Sequence, residues 1–177
     1  MQPYISNRDY EPIFQEAFNH ITSHTINNVL TNFQEFEYNP EVAFDFFGLC
    51  TRLIKYNKKI FFSSPYLEGL LNTWVIGIGT EHPDAVKTHK AFFTGLISTL
   101  SEDLSQVVPL DQDNLNLDEL AKFVIESYPN IHSNEVATWR FILEKGQHIV
   151  GRLIEFLLSA PPGDVVDYTI DILVSNC

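Results

Sequence analysis

The sequence predicts an all-α protein built of antiparallel helix pairs stacked into a solenoid. Three observations carry that expectation. Apolar residues recur every three or four positions through most of the 177 residues, the period of a helix with one buried face. Prolines and small polar residues punctuate these runs and divide them into helices of two lengths. One helix opening occurs twice, as Asn39-Pro40-Glu41-Val42 and as His82-Pro83-Asp84-Ala85, 43 residues apart. No strand pattern competes, because the apolar stretch at 59–62 is too short and lies against a helix start.

Each element has its own signal. A first helix is expected from Pro12 or Ile13 to about Asn32, with Ile13, Ala17, Ile21, Ile26, Val29, Leu30 and Phe33 on its apolar side and Asn, Thr, His and Gln on the other. Asn39 can cap a second helix whose first position is Pro40, where a missing amide hydrogen costs nothing. That helix should run to about Tyr56, burying Val42, Phe46, Leu49, Cys50 and Leu53. Ser63-Ser64-Pro65 opens a third, with Leu67, Leu70, Leu71, Trp74, Val75 and Ile78, and Gly77 and Gly79 loosen its end. A fourth begins at His82-Pro83-Asp84, carries Ala85, Phe92, Phe93, Leu96, Ile97 and Leu100, and stops by Ser101. A loop follows until Asn116, which with Glu119 forms a capping box for a short helix to about Ser127. A long helix from near Asn134 to Ser159 carries Trp139, Ile142, Leu143, Ile149, Val150, Leu153, Ile154 and Leu157, and Pro161-Pro162-Gly163 breaks it. A terminal amphipathic helix is expected over 164–175. The whole chain, 1–177, reads as one array, with its clearest repeats at 13–56 and 65–100 and a weaker one at 116–159.

Composition narrows the function classes. Apolar residues make up 45% of the chain, enough to form a core and to set it apart from disordered and collagen-like sequences. The net charge of −12 would repel a phosphate backbone, so a direct nucleic-acid ligand is not expected, whereas a basic protein segment fits the field. No run approaches the roughly 18 apolar residues of a membrane span, and Met1-Gln2-Pro3-Tyr4 lacks the basic and apolar regions of a signal peptide. A soluble, intracellular protein is the expectation. Cys50 and Cys177 stand far apart, without disulfide or metal-ligand spacing, and read as free thiols.

Both copies of the repeated opening lead to a phenylalanine pair, Phe46-Phe47-Gly48-Leu49 and Phe92-Phe93-Thr94-Gly95-Leu96. A spacing near 43 lies within the roughly 40–47 residues of HEAT and armadillo units, each a pair of antiparallel helices. Asn39-Pro40-Glu41-Val42, the run from Phe46 to Tyr56 and Phe61-Phe62-Ser63-Ser64-Pro65 also resemble the importin-β superfamily of transport receptors. The likeness is to the C-terminal HEAT repeats of the transportin 3 and importin 13 branch. It spans residues 39–100, with a weaker match at Gly151-Arg152-Leu153-Ile154. Lys58 departs from the proline or small residue of the family pattern. The resemblance implies a segment of a longer superhelical receptor that carries protein cargo through nuclear pores, between cytoplasm and nucleus, under control of Ran-GTP. It implies contacts with Phe-Gly nucleoporins as well. The family's main Ran-binding repeats lie outside the matched region, and no arginine cluster here matches the helix that holds Arg-Ser cargo, so no residue is carried over for either.

Candidate chemistry is sparse. Glu16, His20 and His24 share a helix face, but Ile-Thr-Ser separates the histidines where a zinc hydrolase has its glutamate, and a solvated face is the favoured reading. Gly77-Ile78-Gly79 lacks the third glycine of a nucleotide fingerprint and reads as a helix end. Cys50, on the apolar stripe, reads as core. Trp74, Trp139 and the phenylalanine pairs are expected to fill the core between repeats rather than to form open pockets. The sharpest electrostatic feature lies between Ser101 and Trp139, where Glu102, Asp103, Asp111, Asp113, Asp118, Glu119, Glu126 and Glu135 face the single base Lys122. On the inner side of a solenoid such a run attracts basic cargo, and Glu102, Asp103, Asp111, Asp113, Asp118 and Glu119 are its candidate contacts. On the outer side it is a solvated surface. No catalytic group, cofactor or metal is assigned. The expected role is protein binding in transport, with a free-standing helical scaffold or adaptor as the alternative.

Overall fold

In a computed structural model that describes residues 10–105 and 133–158, with the backbone alone at 101–105 and 156–158, the apolar periods become helices. There are no strands among the described residues. Helix α1, Glu11–His24, opens with Pro12 in its first turn and runs on into one turn of π-helix, Thr25–Val29. The wider turn is closed by the Leu30 amide donating to the Thr25 carbonyl at 2.8 Å. The chain then breaks, and the first helix is therefore shorter than its apolar pattern predicts. Asn32 caps a separate short helix, α2, Phe33–Tyr38, its side-chain oxygen accepting the Glu35 amide at 3.2 Å.

Helix α3, Pro40–Phe62, has Pro40 in its first turn as expected, but Asn39 does not cap it with its side chain. The Asn39 amide group donates backward instead, to the Glu35 carbonyl at 3.1 Å and the Glu35 carboxylate at 3.0 Å, fastening α2 to α3. The helix does not stop at Tyr56. It kinks at Asn57 (φ −154°, ψ 68°) and continues through Ile60, Phe61 and Phe62, all buried. Helix α4, Leu67–Ile76, begins two residues later than Pro65 predicts, because the Ser64 hydroxyl accepts the Tyr66 amide at 3.3 Å in a tight turn. It ends at Gly77, and Gly79, at φ 100°, takes the left-handed conformation that reverses the chain. Helix α5, Pro83–Ser105, outlasts the predicted stop at Ser101, and α6 runs over Ser133–Leu158.

These helices meet in a regular way. Phe18 of α1 lies against Phe61, with ring centroids 6.2 Å apart, and Ile26 approaches Gly69; both pairs are 43 positions apart. Gln15 donates to the carbonyl of Ile60, 45 positions on, and the Glu81 amide donates to Glu37, 44 positions back. Gly48 approaches Thr88 and Gly95 approaches Thr51, while Phe47 meets His89 at 4.5 Å and Phe92 at 5.3 Å. Each first partner advances with its second, so α1 runs parallel to the segment 58–69, and α3 parallel to α5. Helix α6 follows suit along the next stretch, through Asn134 donating to the Phe62 carbonyl at 2.6 Å and Arg152 to the Ile78 carbonyl at 3.0 Å.

The core lies between these layers. Phe36, Phe47, Phe61, Phe62, Trp74, Phe92 and Phe93 are fully buried, and Trp74 stacks on Phe93 at 4.7 Å with ring planes 5° apart. Aromatic pairs of this kind add about 0.5–1.5 kcal/mol each beyond the area they bury.

Candidate functional site

Helices α4 and α6 come together beside the turn at 63–66. A cavity of about 500 Å³ opens there, within the range of a small ligand or a few side chains. One wall is Ser64, Pro65, Leu67, Glu68 and Leu71; the other is Asn134, Ala137, Thr138, Phe141 and the pair Arg140 and Glu144. The spacing 134, 137/138, 141 places these residues on one face of α6.

Leu67 and Leu71 are buried and Phe141 is half-buried, so the floor is apolar. The rim is charged. Arg140 Nε lies 2.6 Å from a Glu144 oxygen on the same helix, with both side chains about half exposed, and Glu68 is exposed at the opposite lip. The hydroxyls are already engaged: Ser64 accepts from Tyr66 at 3.3 Å and Thr138 donates to the Asn134 carbonyl at 2.7 Å. No imidazole or thiol lies among the residues lining the cavity. The arrangement can hold an apolar group flanked by charge, a binding chemistry, and it pairs no nucleophile with a base.

A second constellation lies deeper. His89 of α5 is buried among Phe36, Phe47 and Trp74, with ring centroids at 5.6, 4.5 and 6.4 Å. Its Nδ1 donates to the Ala85 carbonyl at 3.0 Å, and its own carbonyl accepts the Trp74 indole N–H at 3.3 Å. Nε2 faces the backbone at Gly77 and has no partner among the described residues. Burial pushes the imidazole down to about 4, so it is neutral at physiological pH.

The residues singled out in the sequence fall in different places. Glu102 and Asp103 lie on the last turn of α5. Asp111, Asp113, Asp118 and Glu119 lie outside the described residues, as do Glu126, the capping box at Asn116 and the terminal helix over 164–175. Glu135 belongs to the acidic run by sequence only: it is buried in the first turn of α6, 3.8 Å from Lys58. His20 and His24 are exposed on α1, and among the described residues no three His, Cys, Asp or Glu side chains converge on a metal position. Cys50 and Trp74 are in the core, and Trp139 packs on its edge. Burial pushes the Cys50 thiol far up and keeps it protonated. No helix among the described residues is long and apolar enough to cross a membrane.

Sequence reasoning missed two features. His89 stands between Ala85 and Phe92-Phe93 on an apolar face, a position that marks a buried imidazole. The groove lies across residues some 70 positions apart, which no local pattern brings together. No family model matches the chain, and no curated protein or solved structure matches it significantly.

Proposed function

We propose that this chain is a protein-binding, non-catalytic segment of a nuclear transport receptor, built as a HEAT-like α-solenoid of the importin-β kind. The observation that supports the reading is a recurring offset of contacts, in which residues of one helix pair lie against those 40 to 45 positions later, from Phe18 and Phe61 to Thr51 and Gly95. That spacing is the length of one HEAT unit. In this reading Asn57 is the boundary between units, so the second begins near Lys58 rather than at Ser64 or Pro65. Units that touch mainly their neighbours can add small rotations into a change of pitch, closing around cargo or releasing it.

The proposed partners are protein cargo with basic segments, Phe-Gly nucleoporins, and Ran-GTP bound through other parts of the receptor. The receptor would shuttle between cytoplasm and nucleus. The acids Glu102, Asp103, Asp111, Asp113, Asp118 and Glu119 are the proposed contacts for basic cargo, in keeping with a net charge of −12.

A pull-down from nuclear and cytosolic extract tests the reading, using this chain and any longer natural form, with and without Ran locked in its GTP state. Recovery of nucleoporins and of a cargo set released by Ran-GTP is the expected result. Recovery of neither, with an ordinary set of other proteins retained, replaces the receptor with a helical-repeat scaffold or adaptor.

A further inference from the structure

Helix α1 has two working faces. Glu11, Gln15, Phe18 and Ile26 lie on the next layer of the array, through an ion pair, a hydrogen bond, a ring contact and a close approach respectively. Turned away from these are Ile13, 63% exposed, Ile21, 43% exposed, and between them the exposed Ala17. Successive members are four residues apart and form one stripe along the helix.

We propose that this stripe is a dimerisation face, on which α1 packs antiparallel against the α1 of a second copy of the chain, across a two-fold axis at Ala17. The argument is one of symmetry. An isologous interface requires a patch complementary to itself when rotated by half a turn, and Ile-x-x-x-Ala-x-x-x-Ile reads the same about its centre. An antiparallel pair centred on Ala17 sets Ile13 of each copy opposite Ile21 of the other. The small side chain at the centre lets the two backbones approach where they cross.

Charge fits the same alignment. Glu16 and His20, both exposed, share one edge of the stripe. In an antiparallel pair like edges meet, and with a rise of about 1.5 Å per residue Glu16 lies within about 3 Å, along the axis, of His20 in the other copy. An imidazole N–H then donates to each carboxylate, twice by symmetry. A heterologous partner has no need of a symmetric spacing, which is why the occupant is a second copy. One helix face makes an interface below the standard size of about 1,200–2,000 Å², so the dimer is a weak one. In a longer receptor a preceding unit would occupy this same face, so the inference concerns the chain of 177 residues and is tested on it alone.

The test is disulfide trapping together with sedimentation. In a Cys177→Ser background, Ala17→Cys places two thiols across the axis and is expected to form a disulfide-linked dimer rapidly under mild oxidation. Ala91→Cys, on the exposed side of α5, should stay monomeric under the same conditions. Sedimentation equilibrium of the unaltered chain should give a monomer–dimer equilibrium that Ile21→Asp weakens at least tenfold. Ile21 is 43% exposed, so the circular dichroism should stay unchanged, as should the unfolding midpoint measured at a concentration where both chains are monomeric. A chain that is monomeric at 200 μM, a dimer indifferent to Ile21→Asp, or trapping of Ala17→Cys no faster than of Ala91→Cys overturns the proposal.

Discussion

Acid should destabilise this protein in part through His89. His89 is neutral in the fold, its imidazole pushed by burial from 6.5 to about 4, whereas in the unfolded chain it has an ordinary histidine pKa. Between those values the unfolded state takes up a proton that the folded state refuses. Stability is therefore complete above about pH 6.5 and falls as pH drops toward 4. The full effect of that difference is about 3 kcal/mol, of which about 2 kcal/mol is already lost at pH 5. A protonated imidazole would face Phe36, Phe47 and Trp74, with no partner for Nε2 among the described residues. The assay is urea unfolding from pH 7.5 to 4.5, followed by tryptophan fluorescence, to which Trp74 contributes beside the ring. Other groups titrate over this range, so the quantity to measure is the difference between the native chain and His89→Leu. The native chain should lose about 2 kcal/mol more than the variant between pH 7.5 and 5. Parallel curves for the two would refute the reasoning and show that His89 takes up its proton without cost.

Two glycines should respond in opposite senses. An alanine Cβ at Gly77 would collide with the Phe36 ring and with His89, so Gly77→Ala should destabilise by about 1–3 kcal/mol in urea titration. Gly146 sits inside α6, and a methyl group added there would meet no atom of the described residues within 4 Å, so Gly146→Ala should stabilise by about 0.5–1 kcal/mol. Phe47→Ala, removing a ring that contacts Phe36, Phe46, His89 and Phe92, should cost about 3–5 kcal/mol by the same measurement. In a Cys177→Ser background Cys50 should not react with a thiol reagent until the chain unfolds, so its modification rate should match the unfolding rate. Asn134→Ala deletes the 2.6 Å bond to the Phe62 carbonyl and should cost about 1–2 kcal/mol, read as a lower thermal midpoint.

Much of the helical plan was legible in local chemistry. Pro40 and Pro83 announce two helix starts because proline suits a first turn and little else in a helix, and Gly77 and Gly79 announce an end. Where local and long-range demands diverged, the pattern misled. The apolar series Ile26, Val29, Leu30, Phe33 passes through the π turn and the break after it, since side-chain periodicity does not register a widened backbone turn. The helix continuing beyond Tyr56 is likewise set by burial of Ile60, Phe61 and Phe62 against α1 and the layers beyond, not by propensity at Asn57 or the two lysines after it. The acidic run also divides by environment: Glu135 is drawn into the protein by Lys58, a partner 77 positions away. The α4–α6 groove depends on two helices meeting across the chain and left no local signature.

The kink at Asn57 joins the two parts of α3, 40–56 and 58–62, through a single residue with no slack. Connecting loops ordinarily absorb insertions; here an added residue after position 57 would turn everything beyond it by about 100°. Ile60, Phe61 and Phe62 would swing from the core toward water, and the partners of Phe18 and Gln15 would be lost together. The two parts of the helix are thus spliced rather than linked, and insertions are better borne at the turns on either side than at the seam, because the residues beyond it pack back on α1.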